Sequence, residues 1–413
     1  MPNSVVLLTV HADRIDAELQ IPLSELQAAW SQTNSDVPGQ QTDWVSSRMR
    51  SYLAAHIRPQ TLDGKRWSVT VGRLSVQETR NPVNGVYREL TAQILLVPPA
   101  GADVRRFTLH YDAVIHQVVT HKILVSVRQD WARGQLTDHS PTQAGVIELD
   151  IVNNRVPPLE VSLEAGSAWT GFRAMIELGI RHISEGTDHL LFLLVLLLPA
   201  PLLVVGGRWG RSGGVRYSLR RVLLIVTAFT LGHSLTLLLG ALQWVWLPAQ
   251  PVEVLIAVSI LVSALHAVRP LFPGRMASGR EAWVAAGFGL IHGLAFADTL
   301  SNLDLDTGPL LLSILGFNLG IEGMQLVVIA LTIPWLILLS RTSAYRTVRL
   351  IGALLAAVAA LAWVIERVTG QANRLAGCIE QIADHAHYVL IMLAILSLFL
   401  TWKTNRTKEF PLS

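Results

Sequence analysis

The sequence predicts a two-part protein, in which a β-rich N-terminal domain precedes an α-helical membrane domain with seven spans. Of its 413 residues, 51% are hydrophobic and only 15% are charged, whereas a soluble domain carries about 25% charged residues. Turn signals and polar residues fill the first part, and long apolar runs fill the second. This composition excludes a purely soluble enzyme, a disordered protein and a nucleic-acid binder. The expected limits are 1–165, 166–405 and a cytoplasmic tail at 406–413.

Residues 1–165 are predicted to form an antiparallel β-sandwich outside the cytoplasm. Short alternating or β-branched segments are separated by turns such as Asp63-Gly64, a pattern typical of sandwiches. Helical pieces near 23–30 and 44–56 interrupt them. No nucleophile elbow, phosphate loop or carboxylate pair is present, so we expect a binding or shielding module with a protein partner or ligand. The expected strands are 4–10, 15–21, 67–76, 87–97, 106–110, 122–127 and 145–151.

Seven later segments are apolar and about as long as a bilayer requires, which is about 20 residues. Their loops alternate in charge, since 206–221 carries five arginines and 243–251 carries no charge. The positive-inside rule then places the N-terminus outside a bacterial-type inner membrane and the C-terminus in the cytoplasm. An exported domain needs a signal peptide, which the first residues lack, so a removed or missing one is expected. The expected spans are 171–198, 219–241, 252–272, 283–301, 309–339, 348–366 and 386–402.

Ionisable side chains within the spans are the main functional candidates, because burying them in a bilayer costs several kcal/mol. They occur in the first, second, fourth and fifth spans, and counting from the interfaces places them all in the outer half of the bilayer. Imidazole with carboxylate suits a borderline divalent ion such as Ni²⁺, Co²⁺ or Zn²⁺. Hydrogen bonding between helices, worth about 0.6 kcal/mol on average, is the plainer alternative. The predicted metal ligands are His182, Asp188, His189, His233, His292 and Glu322, with Asn318 close by.

Four motifs in these spans resemble the HupE/UreJ family of membrane proteins. They are RHISEGTDHLLFLL (181–194), AFTLGHSLTL (228–237), GFGLIHGLAFA (287–297) and FNLGIEGMQL (317–326). The N-terminal domain extends the resemblance to the longer branch of that family. The resemblance implies nickel or cobalt handling for hydrogenase and urease, with His182, Asp188, His189 and His292 as metal-handling residues. The nickel permeases carry further His and Glu after their second histidine motif, where this chain has only Asp298.

Three functions remain open from the sequence. A divalent-metal permease is favoured by the resemblance. The polar stripe Ser259, Ser263 and His266 is open to two interpretations, a path to the cytoplasm or a helix-packing seam, and Arg269 beyond it would repel a cation. An intramembrane zinc hydrolase at the outer leaflet would use Glu322 or Asp188 as general base. The third is an assembly or sensory protein in which metal is structural. The expected partners are a metal ion and the lipid bilayer, with no nucleic acid.

Overall fold

The structure is a computed structural model, and it forms two compact units, Met1–Ala174 and Met175–Ser413. The first unit is rich in β-strands and the second is almost entirely helical. This order confirms the predicted succession of a β-rich part and a helical part. The structure describes residues 3–31, 43–81, 85–136, 141–271, 277–301, 303, 305–383 and 385–409.

The strands of the first unit follow the alternation of the sequence. In β1, for example, apolar side chains alternate between buried and half-buried positions, as expected where one face of a strand packs on a core. Each of the seven expected strands overlaps an observed one, and both helical pieces are present. The elements are β1 Ser4–Val10, β2 Ile15–Pro22, α1 Leu23–Ser31, α2 Asp43–His56, β3 Ile57–Thr61, β4 Ser68–Asn81, β5 Gly85–Val97, β6 Arg106–Tyr111, β7 Ile123–Asp130, β8 Thr142–Ile147 and β9 Leu159–Ser162.

These strands form two sheets, ordered β4-β5-β2-β1-β7-β8 and β3-β6-β9. The expectation of a wholly antiparallel arrangement was wrong at one pair, because β1 and β7 run parallel, with Val6 opposite Val125. Parallel neighbours require a long connection, which the chain from β2 to β7 supplies. One hydrophobic core contains side chains of both sheets, including Leu8 and Phe107. A shared core is compatible with a sandwich.

The second unit consists of helices joined by short loops and one small hairpin. Among the described residues, four helices are long and apolar enough to cross a membrane: α5, α6, α8 and α9, as bounded below. The predicted span 283–301 lies within α7. The elements are α3 Ala168–Glu185, α4 Thr187–Leu197, β10 Leu202–Val205, β11 Arg208–Ser212, α5 Val215–Ala241, α6 Ala249–Val268, α7 Ala277–Ser301, α8 Thr307–Leu339, α9 Tyr345–Thr369, α10 Arg374–Ala383 and α11 Ala386–Glu409.

The first predicted span, 171–198, is not one continuous helix. It is divided into α3 and α4 at Gly186, which has extended backbone angles of φ −74° and ψ 95°. Glycine is a poor helix residue, and the following Thr187-Asp188 pair is of the kind found where helices begin. The stripe predicted for this span therefore bends at Gly186.

Glycines allow α5 and α7 to pack with their backbones in close contact. A methyl group added at Gly289 would collide with the carbonyl oxygen of Phe229, and one at Gly293 with the carbonyl oxygen of His233. Small residues at such positions are typical of helix pairs in membranes. The close approach brings the histidine-bearing faces of the two helices together.

Candidate metal centre

Four imidazoles from four helices gather in the second unit. His182 ends α3, His189 lies in the first turns of α4, and His233 and His292 lie in the middle of α5 and α7. The ring centroids of His182 and His189 are 4.5 Å apart, those of His189 and His292 are 5.0 Å apart, and those of His182 and His233 are 6.4 Å apart. His233 and His292 are fully buried. The four predicted histidines thus form one cluster.

The break at Gly186 lies between the two histidines of the first predicted span. Residues seven apart in a continuous helix are separated by about 10 Å along its axis, yet the rings of His182 and His189 are in contact. A side chain at Gly186 would collide with the carbonyl oxygen of His182 and approach the ring of His189 to 3.1 Å. The interruption and the small residue together allow the rings to meet.

Asp188 contacts the cluster through His189. Its Oδ1 accepts hydrogen bonds from the His189 backbone N–H at 2.8 Å and from His189 Nδ1 at 2.9 Å. Such a carboxylate–histidine pair is the usual support of a metal-binding imidazole. Asp188 therefore orients His189 in this geometry.

Two further polar side chains support the other buried imidazoles. Ser259 Oγ on α6 lies 3.0 Å from His292 Nε2, and Asn318 Oδ1 on α8 lies 3.4 Å from His233 Nδ1. His292 Nδ1 faces His189 Nε2 at 3.4 Å. The stripe residue Ser259 thus belongs to the cluster itself.

The donor set suits a borderline divalent cation, although it is not assembled around a single point. His182 Nε2 and His233 Nε2 are buried with no hydrogen-bond partner among the described residues. Buried polar atoms are seldom left unpaired, so these two nitrogens are available to a ligand. Within the part of the chain that the structure describes, no group of three or more His, Cys, Asp or Glu side chains is already placed to hold a metal ion.

Glu322 is placed differently from the other predicted ligands. It lies on α8, one turn beyond Asn318, and is half-buried. Across the described residues, no hydrogen bond or ion pair is recorded between Glu322 and the four imidazoles. The side chain of Asp298 lies outside the described residues. The geometry therefore gathers five of the six predicted ligands, and among the described residues Glu322 makes no hydrogen bond to them.

Sequence reasoning missed the aromatic wall of the cluster. The ring of His292 lies 5.1 Å from that of Phe192 and 5.2 Å from that of Phe229, measured between centroids. The ring of His182 lies 4.8 Å from Phe296. Phenylalanine in an apolar span carries no distinctive signal, because it is equally expected against lipid. These rings surround the imidazoles with a low-dielectric lining that strengthens electrostatic interactions.

A second polar cluster, also missed, lies at the other end of α6 and α7. Arg221, expected in a cytoplasmic loop, is instead buried in α5 and donates two hydrogen bonds to Glu281, at 2.8 and 2.7 Å. His266 Nε2 lies 3.2 Å from the same carboxylate. Arg221 also stacks on Trp209, with 4.9 Å to the ring centroid. The charges of Arg221 and Glu281 therefore balance each other within this cluster.

Apolar helices that bury a cluster of imidazoles, supported by a carboxylate, a hydroxyl and an amide, indicate a membrane protein with a buried polar site. The family model described as HupE / UreJ protein matches residues 160–367, which is just over half of the chain. The chain therefore belongs to the HupE/UreJ family, which is associated with nickel and cobalt handling. Comparison with curated proteins and with solved structures finds no match.

Proposed function

We propose that the protein is a divalent-metal permease of the nickel/cobalt type, whose cargo binds at the histidine cluster in the outer half of the bilayer. The interruption of the first span at Gly186 is the observation that carries this proposal. In many transporters the ion site lies where a membrane helix is broken, and here the break separates His182 from His189. A bundle held together only by interhelical hydrogen bonds needs no such break.

The proposal extends to the architecture. The predicted seven spans, the N-terminal sandwich outside a bacterial-type inner membrane and the cytoplasmic C-terminus together place the cluster on the side from which the ion arrives. On α6, Ser263 donates to the backbone carbonyl of Ser259, and His266 follows one turn later. In the proposed topology these polar residues lie between the cluster and the cytoplasmic side. Conformational change of the helices would release the ion on the cytoplasmic side.

An intramembrane hydrolase fits the geometry less well. A zinc hydrolase needs a carboxylate free to act as general base near the metal-bound water. Asp188 already accepts two hydrogen bonds from His189, and Glu322 makes no hydrogen bond to the imidazoles among the described residues. The arrangement therefore supports ion binding more directly than hydrolysis.

The test is metal flux into proteoliposomes containing the purified protein, with the bound metal counted in the same sample. We expect Ni²⁺ or Co²⁺ influx that His189→Ala abolishes. The matched control is His385→Ala, because His385 is exposed and its ring contacts are local, with the Gln381 carbonyl oxygen and the ring of Tyr388. Stoichiometric metal that never crosses the bilayer would refute transport and favour the hydrolase. If neither flux nor bound metal is detected, the result favours hydrogen-bonded helix packing without a metal site.

A further inference from the structure

The hydrogen bonds around His292 define which of its nitrogens carries the proton. A serine hydroxyl has a single proton to donate, and Ser259 Oγ donates it to the Ile256 carbonyl oxygen at 2.7 Å. The contact at 3.0 Å with His292 Nε2 must then be one in which the imidazole N–H donates and Ser259 accepts. A neutral imidazole has one donor and one acceptor nitrogen. His292 therefore presents an unprotonated Nδ1.

The same reasoning applies to His189. An ionised carboxylate only accepts hydrogen bonds, so the 2.9 Å contact with Asp188 Oδ1 places the proton of the ring on His189 Nδ1. In the neutral form of this ring, Nε2 is then the acceptor nitrogen. The two lone pairs, on His189 Nε2 and His292 Nδ1, face each other across 3.4 Å with no proton between them.

This separation matches that of two ligands on one metal ion. Zinc-like ions bind histidine nitrogen at about 2.0–2.1 Å in tetrahedral geometry, which places two ligand nitrogens about 3.3–3.4 Å apart. Two facing lone pairs repel each other when nothing lies between them. A cation bridging the nitrogens removes that repulsion.

The hydrogen bonds of Asn318 identify the protonated nitrogen of His233 in the same way. The Asn318 amide nitrogen donates to the Ile314 carbonyl oxygen at 2.8 Å, so its oxygen is the atom that faces His233 Nδ1 at 3.4 Å. His233 Nδ1 must donate in that contact. The remaining nitrogen, His233 Nε2, is the buried atom that has no partner among the described residues.

We propose that Ser259, Asn318 and Asp188 are positioning residues that fix the tautomers of three imidazoles, so that His292 Nδ1, His233 Nε2 and His189 Nε2 are the nitrogens offered to a cation. This rests on the proposed function, since it presumes that the cluster holds a divalent ion. In this proposal Asp188 supports a ligand and is not itself one. Ser259 is a second support, although its helix, α6, carries no ligand. Loss of such outer supports weakens metal binding by about 10- to 100-fold.

The experiment is Co²⁺ titration of the full-length protein in detergent, followed by the visible absorption of the bound ion and by competition with a chelator. Ser259→Ala should weaken Co²⁺ binding by about 10- to 100-fold and change the absorption spectrum, because His292 is free to rotate and change tautomer. Ser259→Thr retains the hydroxyl and should restore both. Ser397→Ala is the matched control, since its hydroxyl donates to the Leu393 backbone carbonyl oxygen on α11, and it should behave as the parent.

Substitutions of Asn318 on α8 provide an independent test, whose result does not depend on how α6 tolerates substitution. Asn318→Asp keeps an acceptor for His233 Nδ1 and should bind Co²⁺ within a few-fold of the parent, whereas Asn318→Leu should lose affinity and alter the spectrum. Parent-like affinity and spectrum in both Ser259→Ala and Asn318→Leu would overturn the inference. Co²⁺ bound as described without flux would refute the permease alone, and a parent protein that binds no Co²⁺ would refute both.

Discussion

The buried pair of Arg221 and Glu281 offers the sharpest test of the described packing. Arg221 is 3% exposed and Glu281 is 6% exposed, so water cannot replace a lost partner. The guanidinium makes two hydrogen bonds to the carboxylate and two more to the carbonyl oxygens of Pro199 and Leu202, at 2.9 and 3.0 Å. Arg221→Met would leave Glu281 with only the imidazole of His266 among its recorded partners.

The expected cost follows from these contacts. A hydrogen bond to a charged group contributes about 1.5–3 kcal/mol, so losing the two on Glu281 costs about 3–6 kcal/mol. This range agrees with the roughly 3–5 kcal/mol lost when one partner of a buried ion pair is removed. The double variant Arg221→Met/Glu281→Leu leaves no unpaired charge, and we expect it to be at least about 2 kcal/mol more stable than the sum of the single effects predicts.

The assay is unfolding of the purified protein by increasing SDS in mixed micelles, followed by tryptophan fluorescence, for a complete double-mutant cycle. Arg220→Met is the control, because Arg220 precedes Arg221 on α5 and is exposed, and it should cost less than about 0.5 kcal/mol. Single effects below about 1 kcal/mol, or effects that simply add, would refute the description of a coupled, desolvated pair.

Three further outcomes are expected. Gly289→Ala should destabilise the protein by about 1–3 kcal/mol in the same SDS assay, because the new methyl meets the Phe229 carbonyl oxygen, whereas Gly287→Ala, with open space around it, should be neutral; equal effects would contradict the packing of α5 on α7. Burial lowers the pKa of the His121 imidazole to about 4, so the unfolded chain binds the proton first and stability should fall by up to about 3 kcal/mol between pH 6.5 and 4. In thermal melts, His121→Gln should reduce this fall in stability with pH. An unchanged pH dependence would contradict the attribution of the fall to His121. Cys378 is exposed and is the only cysteine of the chain, so a membrane-impermeant maleimide should label it from outside if the predicted topology is right, and labelling only from the cytoplasmic side would invert that topology.

Local patterns explain why most strands were predictable and two were not. Alternation along β1 and β2 and the β-branched content of β5 are visible in the sequence. β3 includes Pro59 and polar residues, and β9 has only four residues. Both depend on their pairing with β6. The two edge strands of a sheet assembled from distant segments leave little trace in their own sequences.

In the helical unit, the residue types of the site were predictable but its supporting geometry was not. Histidines within apolar helices stand out because their burial is costly, so four imidazoles could be selected without a structure. The break at Gly186 was masked by continuous apolar periodicity, although Gly186-Thr187-Asp188 carries a helix-start signal. Arg221 was assigned to a basic loop because its partner Glu281 is 60 residues away.

The charges of the two clusters suggest why one of them can hold a mobile cation. Arg221 and Glu281 cancel within one pair, so their cluster already has its counter-ion. The histidine cluster has a single carboxylate, Asp188, so with all four imidazoles neutral it would carry a charge of about −1 when empty and about +1 with a divalent ion. The desolvation cost of a buried charge depends on the square of that charge, so the empty and the occupied site have a similar desolvation cost. Conduction needs a site that binds strongly enough to load and weakly enough to release. A cluster with one carboxylate meets that condition, whereas a second carboxylate ligand, such as Glu322 brought into contact, would favour retention of the ion.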